Sequence, residues 1–280
     1  MNKLPLSTRV HIINLLVEGN SLRATSRITG ASINTVSKLL IDVGTACDKF
    51  HNETVINLST KRVECDEIWS FVYAKNKNVP EDLREGYGVG DVWTWVGMDA
   101  DSKLVVSWFV GSRDAESGFE FMEDVASRLK NRVQMTTDGL RVYLDAVKNA
   151  FGNNIDFAQL VKIFGKSKDT GGDIRYSPAE CTGIKKKKVT GKPKKELIST
   201  SYIERQNLTM RMSMRRFTRL TNAFSKKIEN HCHAIALHFV YYNFVRIHKT
   251  LRVPPAMEAG LIKNLMSIED IVLLPEKYSI

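Results

Sequence analysis

A length of 280 residues suggests one large domain plus a smaller one, or two of moderate size, and 43% hydrophobic content can bury a real core, which excludes a disordered protein. A net charge of +10 favours a polyanionic partner, nucleic acid ahead of an anionic membrane. Cys47, Cys65, Cys181 and Cys232 are scattered with no C-x-x-C pair, against a zinc ribbon or a disulfide framework and in keeping with a reducing cytoplasm. No apolar run reaches the roughly 18 residues of a membrane span, and "MNKLPLSTRVHIINLL" lacks the features of a secretion signal.

Residues 7–19 read as a helix, with Ser7 able to cap it and Val10, Ile13, Leu15, Leu16 and Val17 forming an apolar face. A short helix from Ser21 to about Thr29, a Gly30 turn and a third helix, "SINTVSKLLIDVG", complete a pattern similar to a helix-turn-helix module over residues 1–58. Its third helix would offer Ser32, Asn34, Thr35 and Lys38 to base edges and phosphates, the alternative being an ordinary three-helix cap.

From residue 61 the periodicity changes. "KRVECDEIWSFVYAK" predicts a strand, and "VWTWVGMDADSKLVVSWFVG" predicts two more, joined at Asp99–Ser102. "SGFEFMEDVASRLK" is an amphipathic helix, "RVQMTTDG" a short strand ending at Asp138, "RVYLDAVKNAFG" a helix and "IDFAQLVKIFG" a fifth strand. The expectation is an α/β fold with a mixed five-stranded sheet, extending over 59–250, followed by a tail, 251–280, that turns at Pro254-Pro255. Within it, 167–198 reads as a mobile basic insertion, with seven lysines between 185 and 195 that repel one another unless a polyanion neutralises them; a solvated loop is the alternative. Lys185, Lys186, Lys187 and Lys188 are therefore candidate DNA contacts.

Two acids stand out for hard-metal chemistry. Asp66 interrupts an apolar, aromatic strand, which is costly without a partner or a metal. Asp138 ends the fourth strand, so both could meet at one sheet edge, although alone it could be a loop acid before Gly139. A third, Glu204, is the single acid of the arginine-rich segment 199–220, and on a helix it would share a face with Asn207, Arg211 and Arg215, suited to a phosphate backbone. Taken alone, Glu204 reads better as an acid that compensates the N-terminal dipole of a generic nucleic-acid-binding helix. "HCH" at 231–233 is a poor zinc site, because adjacent helical residues diverge by about 100°.

The segments "CDEIWSFV", "MTTDGLRVY", "SYIERQNLTMRMSMRRFTRLTNAFSKK" and "YYNFVRIHKTLRVPPAMEAG" together resemble the transposases of the insertion-sequence-one family, over about residues 7–262. The resemblance implies a DDE enzyme with an RNase H-like fold. It places the family's catalytic, metal-holding acids on Asp66, Asp138 and Glu204, and a DNA-contacting basic residue on Arg211. It also implies Mg²⁺ or Mn²⁺, double-stranded DNA as partner (transposon ends and target), and a homo-oligomer on DNA in the cytoplasm, at the nucleoid. The reaction implied is two-metal phosphoryl transfer: water opens the phosphodiester at the transposon end, and the freed 3′-hydroxyl attacks target DNA. A cysteine zinc finger common at the start of such proteins is lacking, and the gap between Asp138 and Glu204 is long. The competing readings are a helix-turn-helix regulator, which gives no reason for Asp66, and a catalytically inactive transposase-derived DNA-binding protein.

Overall fold

A computed structural model describes residues 3–84, 88–165, 181–218 and 222–280. The N-terminal helices are α1 (Leu6–Val17), α2 (Leu22–Thr29) and α3 (Ile33–Thr54). Ser21 and Ser32 cap α2 and α3 by accepting from the backbone N–H groups of Ala24 and Thr35. Gly30 makes the turn between them at φ 72°, a left-handed conformation that a side chain would strain. The third helix runs well past Gly44, because Ala46, Cys47 and His51 continue its buried stripe.

The sheet contains β1 (Arg62–Val72), β2 (Gly90–Asp99), β3 (Val105–Gly111), β4 (Gln134–Thr137), β5 (Asp156–Phe164) and β6 (Cys181–Thr190), in the order β3-β2-β1-β4-β5-β6. β4 runs parallel to both β1 and β5, and the remaining pairs are antiparallel. The other helices are α4 (Ala115–Arg128), α5 (Val142–Phe151), α6 (Ser201–Ser213), α7 (Ile228–Val240), α8 (Pro255–Glu258) and α9 (Ile268–Lys277).

Two expectations are corrected. The sheet has six strands, not five: Cys181–Thr190, part of the span read as an insertion, pairs with β5 along its length. The lysines do not prevent this, because Lys185–Lys188 lie on an edge strand with every side chain exposed to water. Charge there also discourages another strand from adding to the edge. The first part of that span, 167–180, lies outside the described residues. The helix carrying Glu204 ends at Ser213, where Met214 turns extended, so Arg215 falls in a short 3-10 turn and leaves the face shared by Glu204, Asn207 and Arg211.

The sheet is sandwiched. Val63 and Cys65 of β1 point to a core with Phe121, Met122 and Val125 of α4 and Tyr143 and Val147 of α5. Ile68 of β1 points the other way, to Ile203 and Met210 of α6 and Ile235 and Phe239 of α7. Strand alternation thus sends even-numbered β1 residues towards α6 and odd-numbered ones towards α5. A further core joins α1, α3, α7 and α9 through Ile13, Leu40, Val43, Leu237 and Ile271, so the N-terminal helices and the C-terminal segment pack together.

Candidate functional site

The parallel register sets Glu64 beside Thr136 and Cys65 beside Thr137. One further step places Asp66 beside Asp138, where β4 ends. The same row continues through Ala158 of β5, opposite Thr136, to Leu160 and Lys162. Glu64, Asp66, Asp138 and Lys162 therefore lie on the face that α6 covers.

Asp66 and Asp138 do meet, and Glu67 joins them: each offers an oxygen, and these oxygens lie within 4.8 Å of one another. Asp66 Oδ1 accepts from the N–H of Glu67 at 2.9 Å, and Oδ2 accepts from Asn207 Nδ2 at 2.8 Å. Asp138 Oδ1 accepts from the N–H of Leu140 at 2.9 Å, and Gln159 donates to the Asp138 carbonyl at 3.0 Å. Glu67 points towards α5, whose Tyr143 hydroxyl donates to it at 3.1 Å, and Arg113, between β3 and α4, pairs with it at 2.6 Å. Burial first, then the charges of Glu67 and Asp138, push the Asp66 carboxyl up to about 7. Burial and the charge of Asp138 push Glu67 up to about 7 against the pull of Arg113.

Glu204 sits on α6 one turn before Asn207, on the face that touches Asp66, and its charge adds to the upward push on Asp66. Its own oxygens are engaged elsewhere. Lys162 Nζ lies 2.5 Å from Oε2, and the Thr200 hydroxyl donates to Oε1 at 2.6 Å. The helix is docked by Glu64, whose Oε2 accepts from the N–H groups of Tyr202 and Ile203 at 2.9 and 3.1 Å. The preceding Thr200 makes no side-chain cap, so a buried β1 carboxylate takes that role.

The donor set suits a hard divalent cation: carboxylate oxygens from β1 and the end of β4, buried and crowded until two of them resist ionisation. Asn207 Oδ1, buried beside Asp66 with no partner among the described residues, is another hard oxygen available there.

Of the other sequence-selected residues, Asn207 is buried against Asp66, whereas Arg211 is half-buried one turn further along. Ser32 and Thr35 bond to each other and to the start of α3, and Lys38 pairs with Asp42 at 2.8 Å. Asn34 lines a cleft of about 1220 Å³ between the N-terminal helices and the segment after α6, with Arg23, Arg215, Lys226 and Lys227 also on its walls. The β6 lysines have no carboxylate partner among the described residues; Lys186 alone of the four donates to a backbone oxygen, that of Lys195.

Sequence reading missed Glu64, Glu67 and Lys162. Glu64 was detectable, lying two residues before Asp66 and hence on the same face. Glu67 gave no such signal, because alternation sends it to the opposite side.

Neither a protein-family model nor a curated protein matches the sequence. Among solved structures, the chain is similar to one described as the Mos1 strand transfer complex, at 13% identity and a TM-score of 0.25, over 56% of this chain and 59% of that one.

Proposed function

We propose that this chain is a DDE-type DNA transposase, of the insertion-sequence-one kind that its motifs resemble. One observation carries the reading: Asp66 and Asp138, selected from sequence as metal-holding acids, bring carboxyl oxygens together with Glu67 within 4.8 Å at the end of β1 and β4. The order β3-β2-β1-β4-β5, with β2 and β3 antiparallel to a parallel β1-β4-β5 group, is consistent with an RNase H-like catalytic domain.

Asp66, Asp138 and Glu204 would hold Mg²⁺ or Mn²⁺. The metal would supply charge to stabilise a phosphodiester under in-line attack and to activate the attacking oxygen. The chain's own groups do the rest. Asn207 orients Asp66, Glu64 fixes α6 against β1, and Arg113 with Tyr143 holds Glu67 in place beside the acids. The duplex partners are transposon ends and target DNA, met by the basic cleft and by the β6 lysines. Residues 1–58 serve as the end-recognition module, and two copies or more assemble so that two ends can be joined. No helix among the described residues is long and apolar enough to cross a membrane; the proposed place of action is the cytoplasm, on the nucleoid.

The test is nicking of duplex DNA by the purified chain with Mn²⁺, with EDTA, and with Asp66→Asn. Metal-dependent nicking lost in the variant supports the reading. DNA binding without cleavage under every condition would leave a DNA-binding protein in its place.

A further inference from the structure

The ammonium of Lys162 has no role in the chemistry just proposed, yet its placement is specific. Lys162 continues the face row that Asp66, Asp138 and Leu160 form across the sheet. It occupies one oxygen of Glu204 at 2.5 Å while Thr200 occupies the other at 2.6 Å. Asp66, Glu67 and Asp138 form a cluster that does not include Glu204. Asn207, on the same helix face, does reach Asp66 at 2.8 Å, so α6 is seated and only the Glu204 side chain stands aside.

We propose that Lys162 is a placeholder, its ammonium neutralising Glu204 in the stead of a divalent cation and passing to a phosphate of bound DNA when Glu204 turns to the metal. The inference rests on the metal-dependent DNA reading above. Three properties fit it. Both partners are about one-third exposed, with side-chain accessibilities of 35% and 39%, so the pair is weak enough to exchange. Lysine carries a compact charge on a flexible stem and can change partners without moving its strand. Lys162 also lies opposite Ile184 of β6, on the face shared with Lys186 and Lys188, so a phosphate backbone along those lysines would pass within its reach.

The experiment titrates Mn²⁺ alone into the full chain without DNA, reading free Mn²⁺ by electron paramagnetic resonance. Lys162→Met removes the ammonium; Thr200→Val removes the neutral arm of the hold without changing charge. Both should bind Mn²⁺ more tightly than the unmodified chain, Lys162→Met by roughly fivefold. A salt titration of duplex binding gives the second readout. With Ca²⁺ present, Lys162→Met should lower the slope of log affinity against log salt by about 0.9, one phosphate contact, and in EDTA it should match the unmodified chain. Tighter Mn²⁺ binding in Lys162→Met but not in Thr200→Val would reduce Lys162 to a nearby charge and overturn the proposal. A slope difference that persists in EDTA would overturn it too. Mn²⁺ binding equal in all three chains removes only the placeholder, whereas no Mn²⁺ bound by the unmodified chain, with or without DNA, removes the metal site as well.

Discussion

The two halves of the proposed metal site are built on opposite terms. The strand half, Asp66 with Glu67 and Asp138, crowds like charge into buried or half-buried positions, and two of its carboxyls are pushed up to about 7. The helix half, Glu204, is partly exposed, saturated with donors and neutralised by Lys162. The strand half thus carries repulsion that a cation would relieve; the helix half is content without one. A site so divided would have its fixed part in the sheet and its adjustable part in the Glu204 side chain of α6.

The largest expected effect separates function from stability within this comparison. Asp66→Asn and Asp138→Asn should each lower metal-dependent nicking by about 10²-fold or more, the scale of losing several kcal/mol of transition-state charge stabilisation. Glu204→Gln should do the same. Thermal stability in EDTA at pH 8 should distinguish them: Asp66→Asn relieves crowding and raises the melting temperature, whereas Glu204→Gln gives up an ion pair and does not. Equal shifts in the two variants would erase the distinction between the halves.

A pH titration sharpens the same point. The Asp66 and Glu67 carboxyls rise from ordinary values of 3.8 and 4.5 to about 7 on folding. The folded chain therefore holds protons in that window which the unfolded chain releases. Their contribution to stability is complete below about pH 4 and is lost as pH rises through about 7. In EDTA the melting temperature should fall between pH 5 and pH 8, by roughly 2–4 °C for each kcal/mol. Mg²⁺ at pH 8 should restore it. A fall of the same size in Asp66→Asn would place its origin elsewhere.

The contact between the halves is itself testable. Glu64→Ala removes the acceptor at the start of α6 and should cost about 1–2 kcal/mol, as other lost helix caps do. It should also weaken nicking, because Glu204 and Asn207 ride on that helix. Glu64→Gln keeps an acceptor of the same shape and should be milder on both counts. Denaturant unfolding beside the nicking assay reads both effects.

These examples also show how much of the molecule was legible in the sequence. Asp66 was legible because an acid among Val63, Ile68 and Trp69 contradicts its strand; Asp138 was legible only with it, as the acid at the end of a strand that could neighbour the first, since before Gly139 it also reads as a loop acid. The first five strands were legible from bulky, β-branched runs. The sixth was not: a block of four lysines reads as self-repelling unless it is known to be an edge strand, a property of the finished sheet. Glu67 was hidden by alternation, since only the position of Asp138 at the strand end lets residues on opposite faces approach one oxygen cluster. Lys162 lies near the end of an apolar strand with nothing beside it to single it out, and its pairing across 42 residues is a tertiary fact. The helix α9 was also missed, although Ser267 and Asp270 form a capping box that the sequence spells out.

The smallest expected effect concerns the far edge of the sheet, and it asks on which side DNA runs. In the antiparallel β5–β6 pair, Lys186 lies opposite Leu160 and Lys188 opposite Ala158, whereas Lys185 lies opposite Val161 and Lys187 opposite Gln159. Directly opposed residues share a face, so Lys186 and Lys188 project to the α6 side with Lys162 and Glu204, and Lys185 and Lys187 to the other. Changing Lys186 and Lys188 together to glutamine should lower the salt slope of duplex binding by up to about 1.8, at about 0.9 per lost phosphate contact. The pair Lys185 and Lys187, changed likewise, should lower it less. All four are exposed edge residues, so stability should stay within about 0.5 kcal/mol in both variants. A larger loss from Lys185 and Lys187 would put the duplex on the α5 face, remote from Glu204, and would break the link between DNA arrival and the adjustable half of the site. Equal losses from the two pairs would mean that β6 acts as a diffuse field and selects neither face.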